Sequence, residues 1–252
     1  MRRCSVPFAL LAVLVAGACA VPVGADEVPI EEEDEYLDPG VQEGDAKMDG
    51  NTPVSALVSG TCSTAPVRGL SMQIAAEIGC LEDGAFVQFD ETANIKFQSA
   101  AVLPYLSAET KEALLRAAPT VGEVYVNSGL RSVAQQFLLK KWRDAGRCGI
   151  SAAATPGRSN HETGRAIDLG NSAEARRVMQ SMGFSTLRND PVHFDHLASP
   201  DFRSVNVEAF QRLWNRNNPE DRISEDGLYG PATAERIARS PSGGFAIGAR
   251  CE

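Results

Sequence analysis

The spacing of apolar and polar residues along the chain predicts a domain of mixed helices and strands. Apolar residues recur at helical spacing over 71–79 and 107–118, and the second of these helices is predicted to end before Pro119. The Ser-x-x-Gln pattern at Ser132 is typical of a capped helix, which we expect to continue to Gly146. Alternating residues over 123–127 indicate a strand.

Two further strands and a helix follow in the same part of the chain. Residues 166–169 and 192–197 have the composition of strands, and a helix is predicted to begin at Ser172 and end near Gly183. Helices and strands therefore mix without regular alternation. This order predicts the α+β class, with a small, mostly antiparallel sheet flanked by helices.

The sequence of the N-terminal part of the chain predicts a targeting segment followed by a linker. Arg2 and Arg3 precede an apolar run that is too short to span a bilayer, a pattern typical of a secretory signal peptide over residues 1–20. Between residues 20 and 50 there are eleven acidic residues and one lysine. Because this stretch has too little apolar periodicity to pack, residues 21–53 are predicted to form a disordered linker.

The same acidic stretch explains most of the formal net charge of -9. The remainder of the chain is close to neutral, and it has no basic face of the kind that nucleic-acid binding requires. We therefore expect an exported, periplasmic or cell-envelope protein without a nucleic-acid partner, and we expect it to be a monomer.

Cysteine positions bear on both anchoring and cross-linking. Cys19 follows Ala16, Gly17 and Ala18, which resembles a bacterial lipobox, so Cys19 is a candidate for lipidation and membrane anchoring. Cleavage after Ala20 or Ala25 would instead release a secreted protein. Four cysteines lie outside the signal region, and an even number in an exported chain favours disulfides between Cys62, Cys80, Cys148 and Cys251. We expect Cys62 to pair with Cys80, and Cys148 with Cys251.

All three histidines of the chain fall in two short windows, which points to a metal site. His161 and Asp168 lie in the first window, and His193 lies in the second with His196. Imidazole nitrogens and a carboxylate oxygen suit a catalytic Zn²⁺, which usually takes three protein ligands and keeps one position open. His161, Asp168 and His193 are the predicted ligands, and Gly164 would let the backbone turn so that they converge.

A carboxylate beside that metal would supply general-base chemistry. Asp190 precedes His193 by three residues, and Pro191 lies between them. Such a carboxylate could accept the proton of an attacking water, provided that the backbone bends, because residues three apart on a straight strand face opposite sides. In an extended segment Asp195 shares the face of His193, whereas His196 points away and is expected to be structural or to support the site. Glu162 is predicted to face solvent.

These motifs resemble a family of zinc peptidases. Ser159, His161, Gly164, Ala166 and Asp168 match the pattern SxHxxGxAxD, and with the later acid-x-x-His they are similar to the D-alanyl-D-alanine carboxypeptidases of the VanY and VanX types and to phage L-alanyl-D-glutamate endopeptidases. The segment 128–136 is similar to the family's upstream SGYRS motif. The resemblance covers about 121–196 and implies a DD-peptidase/hedgehog-like fold.

The resemblance also implies roles for individual residues. Asp190 would be the catalytic base, and Arg131 would bind substrate and stabilise developing negative charge. Ser159 and Gln136 are further candidates for substrate binding, although Ser159 would equally serve to hydrogen-bond a turn, and Arg131 could be a salt-bridge partner at a helix start. Asp190 replaces the family's more common glutamate.

We therefore predict an exported zinc metallopeptidase over residues 54–200 that acts on peptidoglycan stem peptides, in the first place as a D-Ala-D-Ala carboxypeptidase. Asp190 and the following His-Phe pair also fit the endopeptidase branch. A non-catalytic wall-binding protein with a retained zinc site and a peptidase for other peptides are the remaining alternatives.

The final segment, 201–252, is predicted to be helical. Residues 207–233 are similar to the second half of a peptidoglycan-binding module. The alternative is that these helices cover the catalytic domain and contribute Phe210, Leu213 and Trp214 to its core.

Overall fold

A computed structural model describes residues 49–251 of the chain. The predicted signal peptide, Cys19 and the acidic linker up to residue 48 lie outside the described residues. Within them, the helices in chain order are α1 (Val54–Gly60), α2 (Arg68–Leu81), α3 (Ala108–Val121), α4 (Val133–Asp144), α5 (Ser172–Ser181), α6 (Arg203–Asn217) and α7 (Pro231–Arg239). Two short 3-10 turns, Ala65–Val67 and Asn160–Thr163, complete the helical elements of this part.

Seven short strands of the described part form two sheets. The strands are β1 (Val87–Gln88), β2 (Ile95–Phe97), β3 (Tyr105–Leu106), β4 (Val124–Ser128), β5 (Ala166–Leu169), β6 (Ser185–Thr186) and β7 (His193–Asp195). The larger sheet has the order β2-β4-β5-β7-β6, in which β2 and β4 run parallel and the other neighbours run antiparallel. β1 and β3 form a separate antiparallel pair. The predicted α+β class and mostly antiparallel sheet are confirmed.

Two predictions concern where helices begin and end. The capping box at the start of α4 is confirmed, because the Ser132 side chain accepts a hydrogen bond from the Gln135 backbone nitrogen and the Gln135 side chain accepts one from the Ser132 backbone nitrogen. The predicted end of α3 before Pro119 is wrong, since the helix continues to Val121. Proline removes one backbone donor, but here the loss falls in the last turn, and Ala117 and Ala118 hold that turn against the core.

The central strands separate an apolar face from a polar one. Ile167 and Leu169 of β5 and Phe194 of β7 pack with α3 and α5 in one hydrophobic cluster. Because successive side chains on a strand point to opposite faces, Asp168 and His193 face the other way. The site residues thus lie on the side of the sheet away from α3 and α5.

The C-terminal helices share a core with the N-terminal ones. Phe210, Leu213 and Trp214 are buried in a cluster with residues of α1, α2 and α4, as the packing alternative for this segment predicts. Glu77 of α2 is fully buried and pairs with Arg212 and Arg216 of α6, with contacts of 3.0 and 2.8 Å. α6 is therefore fixed to α2 by both apolar packing and charge. A wall-binding role for the segment stays a prediction.

The disulfides use the four predicted cysteines, but the predicted pairing is wrong. Cys62 bonds to Cys148, and Cys80 bonds to Cys251. Cys62 lies before α2, whereas Cys80 lies in the last turn of this helix, which is about 20 Å long. The Cα atoms of the observed pairs are 5.3 and 4.6 Å apart, within the ~4.4–6.8 Å that a disulfide spans. Both observed bonds instead tie together segments that are distant in sequence.

No helix in the described range 49–251 is both long enough and apolar enough to cross a membrane.

The Cys80–Cys251 bond closes a loop over a sequence separation of 171 residues. Replacing both cysteines by alanine is expected to lower the free energy of unfolding by about 2–5 kcal/mol, because the unfolded chain regains the freedom of that loop. Urea denaturation measures the change. Peptide mapping without reduction should recover Cys62 joined to Cys148, and recovery of Cys62 joined to Cys80 would contradict the fold.

Candidate metal centre

Three buried side chains bring metal-ligating atoms together on the polar face of the sheet. They are His161, Asp168 and His193, the predicted ligand set. His161 Nε2 lies 3.2 Å from His193 Nδ1 and 3.3 Å from Asp168 Oδ1, and the last two atoms are 3.2 Å apart. The three atoms thus form a nearly equilateral triangle.

Strand register places two of the three ligands side by side. Asp168 of β5 pairs directly with His193 of β7, so their side chains leave the same face of the sheet as neighbours. On the other side of Asp168 the pairing with β4 is irregular between Val126 and Ser128. On a regular strand, Val126 and Ser128 would share a face because they are two residues apart. The bulge separates them, so that Ser128 lies opposite Asp168 while Val126 stays in the apolar cluster.

The third ligand comes from the 3-10 turn that precedes β5. The turn contains His161 and ends at Gly164, which adopts a left-handed conformation with φ 69°. A Cβ atom there would lie 2.7 Å from the Phe86 ring and 2.8 Å from the Ser107 nitrogen. Only glycine satisfies both conditions, so the chain can reverse sharply between His161 and Asp168, as the sequence predicts.

The dimensions of the triangle suit a tetrahedral zinc ion. Protein nitrogen and oxygen ligands lie about 2.0–2.2 Å from Zn²⁺, and tetrahedral angles then separate the ligand atoms by about 3.3–3.6 Å. The observed separations of 3.2 to 3.3 Å are close to the lower end of that range. Two imidazoles with one carboxylate are also a common donor set for zinc. The residues present therefore fit this ion.

Hydrogen-bond acceptors behind both rings orient the nitrogens. His161 Nδ1 lies 2.7 Å from the Gly129 carbonyl oxygen, so this nitrogen carries the hydrogen and Nε2 presents its lone pair to the centre. His193 Nε2 lies 2.9 Å from Asp195 Oδ1, although the two atoms are not aligned as a hydrogen bond. A carboxylate at that position favours a protonated Nε2 and leaves Nδ1 for a metal.

Asp195 supports His193 from the face that strand alternation predicts. Its second carboxylate oxygen accepts a hydrogen bond of 3.1 Å from the Asn160 amide, and Asn160 in turn accepts one from Arg165. Sequence reasoning placed Asp195 on the correct face but gave it no role. The alternation His193, Phe194, Asp195 was the available signal, because a carboxylate two residues after a ligand shares its side of the strand.

Arg131 lies against the ligand carboxylate. Its guanidinium is 3.4 Å from Asp168 Oδ2, and it donates hydrogen bonds to Ser128 Oγ and Gln136 Oε1. Asp168 therefore directs one oxygen to the histidines and the other to Arg131. The side chain of Arg131 is only 5 % exposed, so its charge acts mainly on the interior of the site.

Gln136 and Ser159 hold parts of the site's own backbone. The Gln136 amide donates to the Ala154 carbonyl oxygen while its oxygen accepts from Arg131. The Ser159 hydroxyl accepts from the His161 backbone nitrogen at 3.3 Å, which is the turn-forming arrangement that the sequence left open. Substrate binding by either residue stays a prediction.

Asp190 is buried just before β7, and the chain bends after it. Its Oδ1 atom accepts a hydrogen bond of 3.2 Å from the Val192 nitrogen, which closes a turn over Pro191. The general-base hypothesis requires such a bend between Asp190 and His193. Its role as base stays a prediction.

The prediction that Glu162 faces solvent is wrong. Glu162 is fully buried, and its carboxylate accepts hydrogen bonds from the backbone nitrogens of Gly157 and Ser159 at 2.8 to 3.1 Å. Burial raises the pKa of Glu162 to about 7. Ser159 and Glu162 form the Ser-x-x-Glu pattern of a capping box, and that signal was present in the sequence.

His196 supports a neighbouring part of the fold. Its Nδ1 lies 2.9 Å from the Ser199 hydroxyl, and its ring centre lies 5.2 Å from that of Phe184. Burial lowers the pKa of His196, which favours the neutral ring. These contacts agree with the structural role proposed for it from sequence.

Comparison with known proteins gives one match. Residues 103–199 match the family model VanY, described as D-alanyl-D-alanine carboxypeptidase. No curated protein and no solved structure matches the chain. The matched segment includes β4, β5 and β7 together with His161, Asp168, His193 and Asp190. The segment 103–199 is therefore similar to the VanY-type D-alanyl-D-alanine carboxypeptidases.

Proposed function

We propose that this protein is an exported zinc-dependent peptidase that hydrolyses the stem peptides of peptidoglycan, with removal of a terminal D-alanine as the principal reaction. The match of residues 103–199 to the VanY family model supports a hydrolase of this general kind. The observation that carries the metal dependence is the triangle of ligand atoms from His161, Asp168 and His193. Export rests on the sequence of residues 1–20 and on the two disulfides.

Bound zinc at such a site polarises a carbonyl group and lowers the pKa of water to about 7, which makes hydrolysis feasible near neutral pH. His161, His193 and Asp168 hold the ion, and the Gly129 carbonyl and Asp195 keep the two rings in the required orientation.

Asp190 serves as the general base in this proposal. It accepts the proton of the attacking water and transfers it to the leaving amine, which balances the proton over the reaction. A buried carboxylate next to the turn before His193 is suited to this task because it is shielded from bulk water.

Arg131 provides positive charge on the opposite side of Asp168. Its pairing with Asp168 Oδ2 compensates the ligand's charge, and the fork of its guanidinium suits a substrate carboxylate or a developing oxyanion. The substrate class fits this charge, because a stem peptide ends in a carboxylate.

An endopeptidase is the second candidate function. Asp190 in place of glutamate, with Phe194 directly after the ligand His193, is the observation that favours it. Both candidates use the same metal site and the same base, and they differ in the bond that is cleaved.

Removal of one ligand tests the metal site. His161→Ala is expected to lose stoichiometric zinc, because two remaining ligands bind the ion far more weakly than three. His196→Ala is the matched control, since it removes another buried histidine that lies outside the ligand triangle. Zinc content after dialysis, measured by mass spectrometry, should fall only in the first variant. Stoichiometric zinc in His161→Ala would contradict the assignment.

Digestion of purified muropeptides tests the reaction. The wild-type chain is expected to release one alanine per stem peptide, whereas dipeptide fragments would assign the endopeptidase reaction instead.

Asp190→Asn should retain zinc and lose about 10²–10⁴-fold in turnover, since the amide cannot accept the proton. Asp144→Asn, at an exposed carboxylate paired with Lys140, is the control and should digest at the wild-type rate. Undiminished hydrolysis after complete zinc removal would refute the proposal.

A further inference from the structure

The first turn of α6 lies outside the family-matched segment and yet contacts the loops that carry the site. Asn206 in this turn is fully buried. Its amide nitrogen donates hydrogen bonds to the carbonyl oxygens of Arg131 at 3.0 Å and Glu162 at 3.1 Å. Its amide oxygen accepts one of 2.8 Å from the Val133 nitrogen. One side chain therefore bonds to two separate segments of the catalytic domain.

Both segments contain residues of the metal centre. Arg131 pairs with Asp168, and Val133 begins α4, where backbone nitrogens lack partners within the helix. Glu162 directly follows His161 in the 3-10 turn. The backbone nitrogen of Arg131 also donates to the His161 carbonyl oxygen at 3.1 Å. Asn206 thus sits where the Arg131 segment and the His161 turn meet.

Neighbouring residues of the same helix face reinforce this contact. Residues three and four apart on a helix lie side by side, so Arg203, Asn206 and Val207 form one surface. Arg203 donates a hydrogen bond of 2.9 Å to the Arg158 carbonyl oxygen. A Cβ atom at Gly157 would lie 3.2 Å from the Val207 side chain, so the loop before His161 runs close against α6.

The remainder of α6 anchors this surface. Phe210 and Leu213 are buried in the helical core, and Arg212 and Arg216 pair with the buried Glu77 of α2. A helix fixed in this way can set the position of loops that bond to its first turn, whereas a loosely attached module could not.

We propose that α6 helps to position the metal centre and that Asn206 is the positioning residue. Its side chain fixes the Arg131 segment and the His161 turn relative to each other. This inference rests on the proposed zinc site. It assigns to the C-terminal segment a role in building the catalytic centre, in addition to any role in wall binding.

Asn215 provides a matched control on the same helix. It is also buried, and its amide also makes three hydrogen bonds, to Ile223 twice and to Glu225, all at 2.8 Å. These bonds hold the loop that follows α6 and involve neither the Arg131 segment nor the His161 turn. Asn206→Ala and Asn215→Ala therefore each remove three hydrogen bonds of a buried amide, at different places on α6.

The zinc affinity of the full chain distinguishes the two alanine variants. It is measured by competition with a chromophoric chelator. Asn206→Ala is expected to weaken zinc binding by about tenfold or more, as loss of supporting contacts around a metal site does, and to lower kcat/KM for muropeptide hydrolysis. Asn215→Ala should keep the wild-type zinc affinity, although thermal unfolding should show both variants destabilised.

If the alanine variant does not fold, Asn206→Asp replaces it in the test. It keeps the side chain's shape and the acceptor for the Val133 nitrogen but loses both donors to the site carbonyls, so it should share the loss of zinc affinity. Equal zinc affinity in the Asn206 and Asn215 variants would overturn this inference alone. A wild-type chain without zinc affinity would overturn the proposed function, and this inference with it.

Discussion

Asp168 brings a carboxylate into the interior of the fold, where an ionised group without compensation costs several kcal/mol. The surrounding side chains provide that compensation at one of the two carboxylate oxygens. Arg131 lies against one oxygen, and two imidazoles face the other at 3.2 and 3.3 Å. Both rings are oriented by acceptors behind them, so their lone pairs meet the carboxylate oxygen at one point. A divalent cation at that point would balance the charge of Asp168 and would be bound by all three lone pairs.

This constraint explains why the centre draws on elements from several parts of the chain. The sheet supplies Asp168 and His193 as paired neighbours, and the bulge in β4 turns Ser128 towards them. The tight turn at Gly164 returns His161 to the same face. α6 bonds to the Arg131 segment and the His161 turn and packs in the helical core. The family-matched segment contains the candidate ligands, and the proposed role of α6 is to hold them in position.

Sequence predicted those features that depend on local chemistry. The cluster of His161, Asp168 and His193 followed from the scarcity and spacing of histidines, and the face of Asp195 followed from strand alternation. The error at Glu162 was also local, because a solvent-facing interpretation overlooked its capping box with Ser159. Features that depend on the path of the chain could not be predicted. The disulfide pairs depend on which distant segments of the chain meet, and the bonds of Asn206 join residues 44 and 75 positions apart.

The most direct test of this account is a crystal structure of the zinc-loaded chain with anomalous diffraction recorded on both sides of the zinc absorption edge. The account predicts one strong anomalous peak at about 2.0–2.2 Å from His161 Nε2, Asp168 Oδ1 and His193 Nδ1 together. An absent peak, or one bound to other residues while these three atoms keep their present arrangement, would contradict the central claim.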